Sequence, residues 1–113
     1  MDENFVLLLD IYGELLPQSQ REALDMRYNS DLSLSEIAEE RGGISRQSIN
    51  DACRKGEKRL LELEKILGNA KRLRILSEEL NSAEKLVGML ETNDNEKLIG
   101  QLMRILEGMR KEL

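Results

Sequence analysis

The chain has no histidine and no tryptophan, and it holds one cysteine, one proline and three aromatic residues among 113. Without histidine it lacks the commonest metal ligand and the commonest general base, so zinc sites and Ser/His or Cys/His catalysis have no obvious parts. The lone Cys53 has no partner for an internal disulfide, and its place on an apolar stripe makes it a core thiol rather than a reactive one. No stretch approaches the roughly 20 apolar residues that span a bilayer, and the acidic start MDEN lacks the basic region of a secretion signal. These absences point to a cytoplasmic protein that is not an enzyme, with no cofactor, no metal and no membrane insertion. With so little proline and with apolar residues spaced by threes and fours, the expected fold class is all-α.

Acidic residues outnumber basic ones, and the net charge is −5. Phosphate contacts from Lys and Arg supply most nonspecific affinity for nucleic acid, so the sum argues against such a partner. The distribution reverses that reading. Residues 1–44 carry a balance of −7, residues 45–74 one of +5, and residues 75–113 one of −3. The basic excess is therefore confined to one segment, which focuses the field there. The plainer alternative is a solvated helix face with ordinary Glu/Lys pairs, and Glu57, Glu62 and Glu64 favour it for the second half of that segment.

The segment sits inside the best-marked pattern in the chain, residues 33–67. Ser33 with Glu36 three residues on is a capping box, so a helix is predicted from Leu34, with Leu34, Ile37 and Ala38 inward. Gly42 and Gly43 then end it. Ser45 caps a second helix, with Ile44 as the apolar residue before the cap. The buried stripe of that helix is predicted as Ile49, Ala52, Cys53, Gly56, Leu60, Leu63 and Leu67, leaving Arg46, Gln47, Asn50, Asp51, Arg54 and Lys55 outward. Two helices across a tight glycine turn read as a helix-turn-helix, which offers the first turns of its second helix to a major groove.

Two supporting helices come first. One spans about Asn4 to Leu15, with Phe5, Leu8, Leu9, Tyr12 and Leu16 on one face; another starts with Pro17 in its first turn and buries Ala23, Leu24 and Tyr28. After Leu67, Gly68-Asn69 closes the long helix. Leu73, Leu76, Leu80, Ala83, Val87 and Leu90 then form a heptad-like stripe. A turn over residues 91–95 precedes a last helix, capped by Asn93 or Asp94, that carries Leu98, Ile99, Leu102, Ile105, Leu106 and Met109. The expected organisation is a helix-turn-helix domain of four short helices, the last one extended, over residues 1–67, followed by a C-terminal helical hairpin over 68–113. The hairpin has apolar surface enough either to pair with its copy in a homodimer or to fold back on the N-terminal core.

The run LPQSQREALDMRY and the stretch LSLSEIAEERGGISRQSINDACRKGEKRLLELEKIL resemble the DNA-binding fourth region of bacterial sigma factors. They resemble still more the YlxM-like family of small helix-turn-helix proteins. The matching residues are Leu16-Pro17, Tyr28, Leu34, Glu36 to Glu40, Ser45-Arg46-Gln47, Asp51 and Glu57-Lys58. The resemblance implies a bacterial cytoplasmic protein linked to the signal recognition particle secretion pathway, beside whose genes members of that family are encoded.

Three features depart from the family pattern. Ala38 and Ile44 are six residues apart where five is usual, which predicts a longer and looser turn. Arg41 stands where an apolar residue usually closes the first helix, which predicts a wetter corner. Asp51 lies outward on the second helix, where it repels phosphate unless it pairs with Arg54 or Lys55 or accepts a hydrogen bond from cytosine.

Together these readings give an expected duplex DNA-binding regulator. Arg46, Gln47, Ser48 and Asn50 are placed at base edges, Arg54, Lys55, Lys58 and Arg59 near phosphates, and Ser45 as a cap that also donates to phosphate. The alternative of a different class is an adaptor that uses the same basic helix on RNA or on a protein of the signal recognition particle pathway.

Overall fold

The computed structural model describes residues 4–90 and 95–113. It is all-α, and no strand occurs among the described residues. The helices are α1 (Phe5–Tyr12), α2 (Gln18–Leu24), α3 (Leu34–Glu40), α4 (Arg46–Leu67), α5 (Asn69–Gly88) and α6 (Glu96–Lys111). They divide between two compact units, one up to Ala70 and the other from Lys71 to Leu113.

In the first unit each short helix begins or ends on a side-chain or glycine signal. Asn4 caps α1 by accepting the amide of Leu7 at 3.1 Å, and the chain then tightens into a 3-10 turn over Gly13–Leu15. The first helix is thus shorter than its apolar pattern predicts. Pro17 is the N-cap of α2, one position earlier than expected, with an extended ψ of 146°. Beyond Leu24 the helix widens into one π-type turn over Asp25–Asn29, closed by the amide of Ser30 on the carbonyl of Asp25. Asp31 then takes a left-handed φ of 55°, a conformation that Asp tolerates better than most residues.

The capping box at Ser33 and Glu36 is present in both directions: the amide of Glu36 donates to Ser33 Oγ at 3.2 Å, and the amide of Ser33 donates to Glu36 Oε1 at 3.1 Å. The backbone bond to its carboxylate comes first among the causes that hold Glu36 below the usual carboxylate range. These bonds also satisfy amides that a helix start would otherwise leave orphaned.

The core joins all four helices of this unit. Leu8, Leu9, Tyr12, Leu16, Ala23, Leu24, Ile37, Ile49, Cys53, Leu60 and Leu63 are buried together. Cys53 is a core thiol, and burial pushes its pKa up. The inner stripe of α4 follows the predicted positions with two adjustments: Ala52 is half-buried, and Leu67 remains exposed at the end of the helix. Gly56 marks where α2 crosses α4. A Cβ on Gly56 would stand 2.6 Å from Leu24 Cδ1 and 3.4 Å from Gln20 Cβ, closer than packed atoms allow at the leucine, so the crossing depends on the missing side chain.

Two carboxylates that read as solvated surface are tied to core tyrosines instead. Tyr12 Oη donates to Glu64 Oε1 at 2.7 Å and accepts the amide of Asn69 at 3.1 Å, while the amide of Ala70 donates to the same Glu64 oxygen at 3.0 Å. Tyr28 Oη donates to Glu57 Oε1. Periodicity alone put both glutamates on the outer face. Burial, and then the neighbouring glutamate, raise both tyrosines, Tyr28 to about 12.

Helix α4 ends at Gly68, which takes the left-handed φ of 64° expected of a helix-ending glycine. In the second unit, Leu80 is buried on α5, and no residue of α6 is. Arg110 ties the two helices, its Nε donating to Glu84 Oε1 at 2.8 Å and its Nη2 to Asn81 Oδ1 at 2.7 Å. Asn95 takes the N-cap position of α6. The predicted caps Asn93 and Asp94 and the rest of that turn, residues 91–94, lie outside the described residues.

Candidate nucleic-acid interface

The candidate interface is the exposed face of α4 together with the turn that sets its direction. Three backbone bonds build the turn. Arg41 N–H reaches the carbonyl of Ile37 at 3.0 Å, Gly42 N–H that of Glu39 at 3.1 Å, and Gly43 N–H that of Ala38 at 3.3 Å. The last two are the paired bonds of a Schellman motif. Both glycines have positive φ, 74° and 91°. The extra glycine therefore does not loosen the turn as its length predicts: it supplies the donor that closes the motif. Nor is the Arg41 corner left to solvent. Arg41 is half-buried and its Nη1 donates to Glu22 Oε2 of α2. Glu22 is held below the usual carboxylate range first by the hydrogen bond from Gln18 and then by Arg41.

Ser45 caps α4. Its Oγ accepts the amide of Ser48 at 3.1 Å and donates to Ser48 Oγ at 2.9 Å. Ile44, expected to pack just before the cap, stays 42% exposed. From this start, Ile49, Cys53, Gly56, Leu60 and Leu63 face the core, so positions half a helical turn away face solvent. Gln47, Asp51, Arg54 and Lys58 make up that outward row, and all four are exposed.

The other predicted residues flank it. Arg46 and the half-buried Asn50 lie along one side; Ser48, Lys55 and Arg59 lie along the other. The nine predicted site residues thus share one helix and its cap, but they form a row with two flanks rather than a single line. Arg59 reaches Glu62 at 3.5 Å, which offsets part of its charge. Arg46, Arg54, Lys55 and Lys58 make no salt bridge among the described residues. Asp51 pairs with neither Arg54 nor Lys55 there, so its negative charge stands open in the middle of the row.

One residue of this neighbourhood was invisible in sequence. Arg27, Tyr28, Asp31, Leu32, Ser33, Leu34 and Arg46 line a cleft of about 420 Å³ between the π-type turn and the start of α4. Arg27 lies 6.0 Å over the ring of Tyr28. That Arg27 and Arg46 line one cleft is a matter of tertiary packing, and a helical reading of residues 17–28 gives no sign of it.

A family model for YlxM/p13-like helix-turn-helix proteins, UPF0122, matches residues 3–103. A UPF0122 protein of Thermoanaerobacter sp. strain X514 is 33% identical over 116 aligned residues, covering 100% of this chain and 96% of its own. One from Clostridium kluyveri is 39% identical over 89 residues, covering 79% and 74% respectively. A match over most of the chain, on a fold whose third and fourth helices flank a hydrogen-bonded glycine turn, assigns this chain to the UPF0122, YlxM/p13-like helix-turn-helix family.

Proposed function

We propose that the protein is a non-enzymatic, duplex DNA-binding regulator that reads DNA with the N-terminal half of α4. The observation that carries this reading is the coincidence of the exposed row of α4 with the chain's basic segment, on the second helix of a helix-turn-helix. Arg46, Gln47, Ser48 and Asn50 offer forked or compact hydrogen-bonding groups to base edges. Arg54, Lys55, Lys58 and Arg59 follow one to three turns later, where backbone phosphates flank a groove, and Ser45 donates at the cap. Arg27 adds a further cation for phosphate through the cleft it shares with Arg46. Binding carried by these cations weakens steeply as salt rises.

Paired substitutions test the assignment. Arg46→Ala with Gln47→Ala is expected to relax sequence preference while leaving nonspecific duplex affinity nearly intact. Lys55→Glu with Lys58→Glu is expected to weaken binding to all duplexes and to lower the salt slope by about 2, roughly one for each lysine–phosphate pair removed. Affinity and preference like those of the original chain in both pairs would refute it.

Asp51 favours a second reading, because an open carboxylate in the middle of the row opposes close approach to any phosphate, of DNA or RNA alike, but not to a protein. In that reading the same helix serves as an adaptor that holds a protein of the signal recognition particle pathway. Saturable binding of the particle's purified protein, lost on Lys55→Glu with Lys58→Glu and with no preference among duplexes, would establish it.

A further inference from the structure

Among the described residues of the second unit, apolar side chains outnumber the buried positions available to them. On α6, Leu98, Leu102, Ile105 and Met109 are 59%, 44%, 60% and 50% exposed. Their spacing of four, three and four is the seam of a coiled coil, and it places them within a narrow arc of the helix. The face beside them is already in use: Ile99, Met103, Leu106 and Arg110 are half-buried, and Arg110 holds α5. On α5, Leu76 is also exposed, and so is Leu90 in the tight turn that follows the helix, two heptads on with the half-buried Ala83 between them. For two antiparallel helices packed through those half-buried positions, both rows fall on one side of the hairpin.

We propose that this face pairs with the same face of a second copy, with α6 running antiparallel to its counterpart. Three observations select a second copy over another partner. The seam is self-complementary about a two-fold axis between Leu102 and Ile105: Leu98 meets Met109 of the other copy, and Leu102 meets its Ile105. On its open side the α6 seam is bordered by Gln101 and Gly108, which are uncharged, with Lys97, Arg104 and Lys111 more than a quarter-turn away from it, so the approach of one α6 to another brings no like charges into the seam. Finally, the six exposed side chains of each copy together bury on the order of 1,000 Å² in a pair, which reaches the threshold of a specific interface. The resulting assembly is a four-helix bundle of two hairpins, with one α4 carried by each copy.

The inference does not depend on DNA binding, and it is tested without nucleic acid. Light scattering on the full chain at tens of micromolar should give twice the 13.0 kDa chain mass. Ile105→Glu should halve that mass without loss of helical circular dichroism, because Ile105 is exposed in the single chain. Leu98→Cys and Met109→Cys variants should form a disulfide dimer when mixed but not when oxidised separately, since like positions would be about 16 Å apart along the antiparallel axis, beyond disulfide reach. Cys53 is buried, so it does not confuse the readout. A 13.0 kDa particle from the original chain would overturn the proposal. A dimer indifferent to Ile105→Glu would overturn the interface, and cross-linking of Leu98→Cys alone would overturn the antiparallel register.

Discussion

The two units are built from similar material and use it differently. In the unit up to Ala70, amphipathic helices converge on one core, in which Leu24, Ile37 and Leu60 have no exposed surface. In the unit from Lys71 onward, helices with equally regular apolar spacing leave most of those residues half-buried or exposed. An apolar stripe says that a helix face wants cover; only the number and placement of neighbouring elements decide whether it is covered within the chain. Four helices packed together enclose a centre, whereas two helices cover only the faces they turn to each other and leave the rest open.

Matched truncations test this contrast most directly. Leu60→Ala should cost about 3 kcal/mol of unfolding free energy, because it leaves a cavity that packed neighbours cannot close. Ile105→Ala, measured at a dilution where the chain is single, should stay within about 0.5 kcal/mol. Chemical denaturation of both variants checks the pair, and a similar cost at the two positions would erase the distinction between the units.

Next in size is the α2–α4 crossing. Gly56→Val should cost about 2 kcal/mol, since the added atoms meet the fully buried Leu24. Gly108 has open space around its Cβ position, so Gly108→Ala should raise stability by up to about 1 kcal/mol through helix propensity alone. Thermal melts followed by circular dichroism compare the two.

The caps give a smaller effect confined to the first unit. Ser45→Ala removes the acceptor of the Ser48 amide and should cost about 1 kcal/mol. If α4 carries the interface, it should also weaken nucleic-acid binding, by fraying the turn that holds Arg46 and Gln47. Hydrogen exchange at the first amides of α4 reads the fraying directly.

Alkaline pH probes the tyrosine links, which belong to the first unit only. Both tyrosines are raised in the folded chain, so each binds its proton more tightly folded than unfolded. Their contribution is therefore fully present below the unfolded value, near 10, and for Tyr28 is lost as pH rises from there through about 12. Denaturation midpoints should stay level with respect to these groups up to pH near 10. Tyr28→Phe should make the loss above that pH shallower. An unchanged alkaline profile in this variant would show that the link to Glu57 contributes nothing.

Much of this was legible in the sequence because it rests on short-range rules. The capping box at Ser33, the cap at Ser45, the glycine stop after α3 and the inward stripe of α4 depend on residues within one or two turns of one another. Sequence could not show that Glu57 and Glu64 would meet tyrosines 29 and 52 residues away, or that Arg41 would close its corner by reaching Glu22. Periodicity assigns a residue to a face of its helix and says nothing about what that face meets. The turn shows the same limit: counting residues predicted looseness, but looseness depends on hydrogen bonds, and the extra glycine makes one.

The all-helical class, the order of the helices, the start and stop signals of α3 and α4 and the concentration of the basic excess on α4 and its continuation follow from the residues alone, because propensity, capping and charge are local properties. Three-dimensional packing was needed to establish which carboxylates are held by the core, that Arg27 and Arg46 line one cleft, and which apolar stripes remain uncovered. Those outcomes depend on groups distant in sequence becoming neighbours, and on how many helices surround each face.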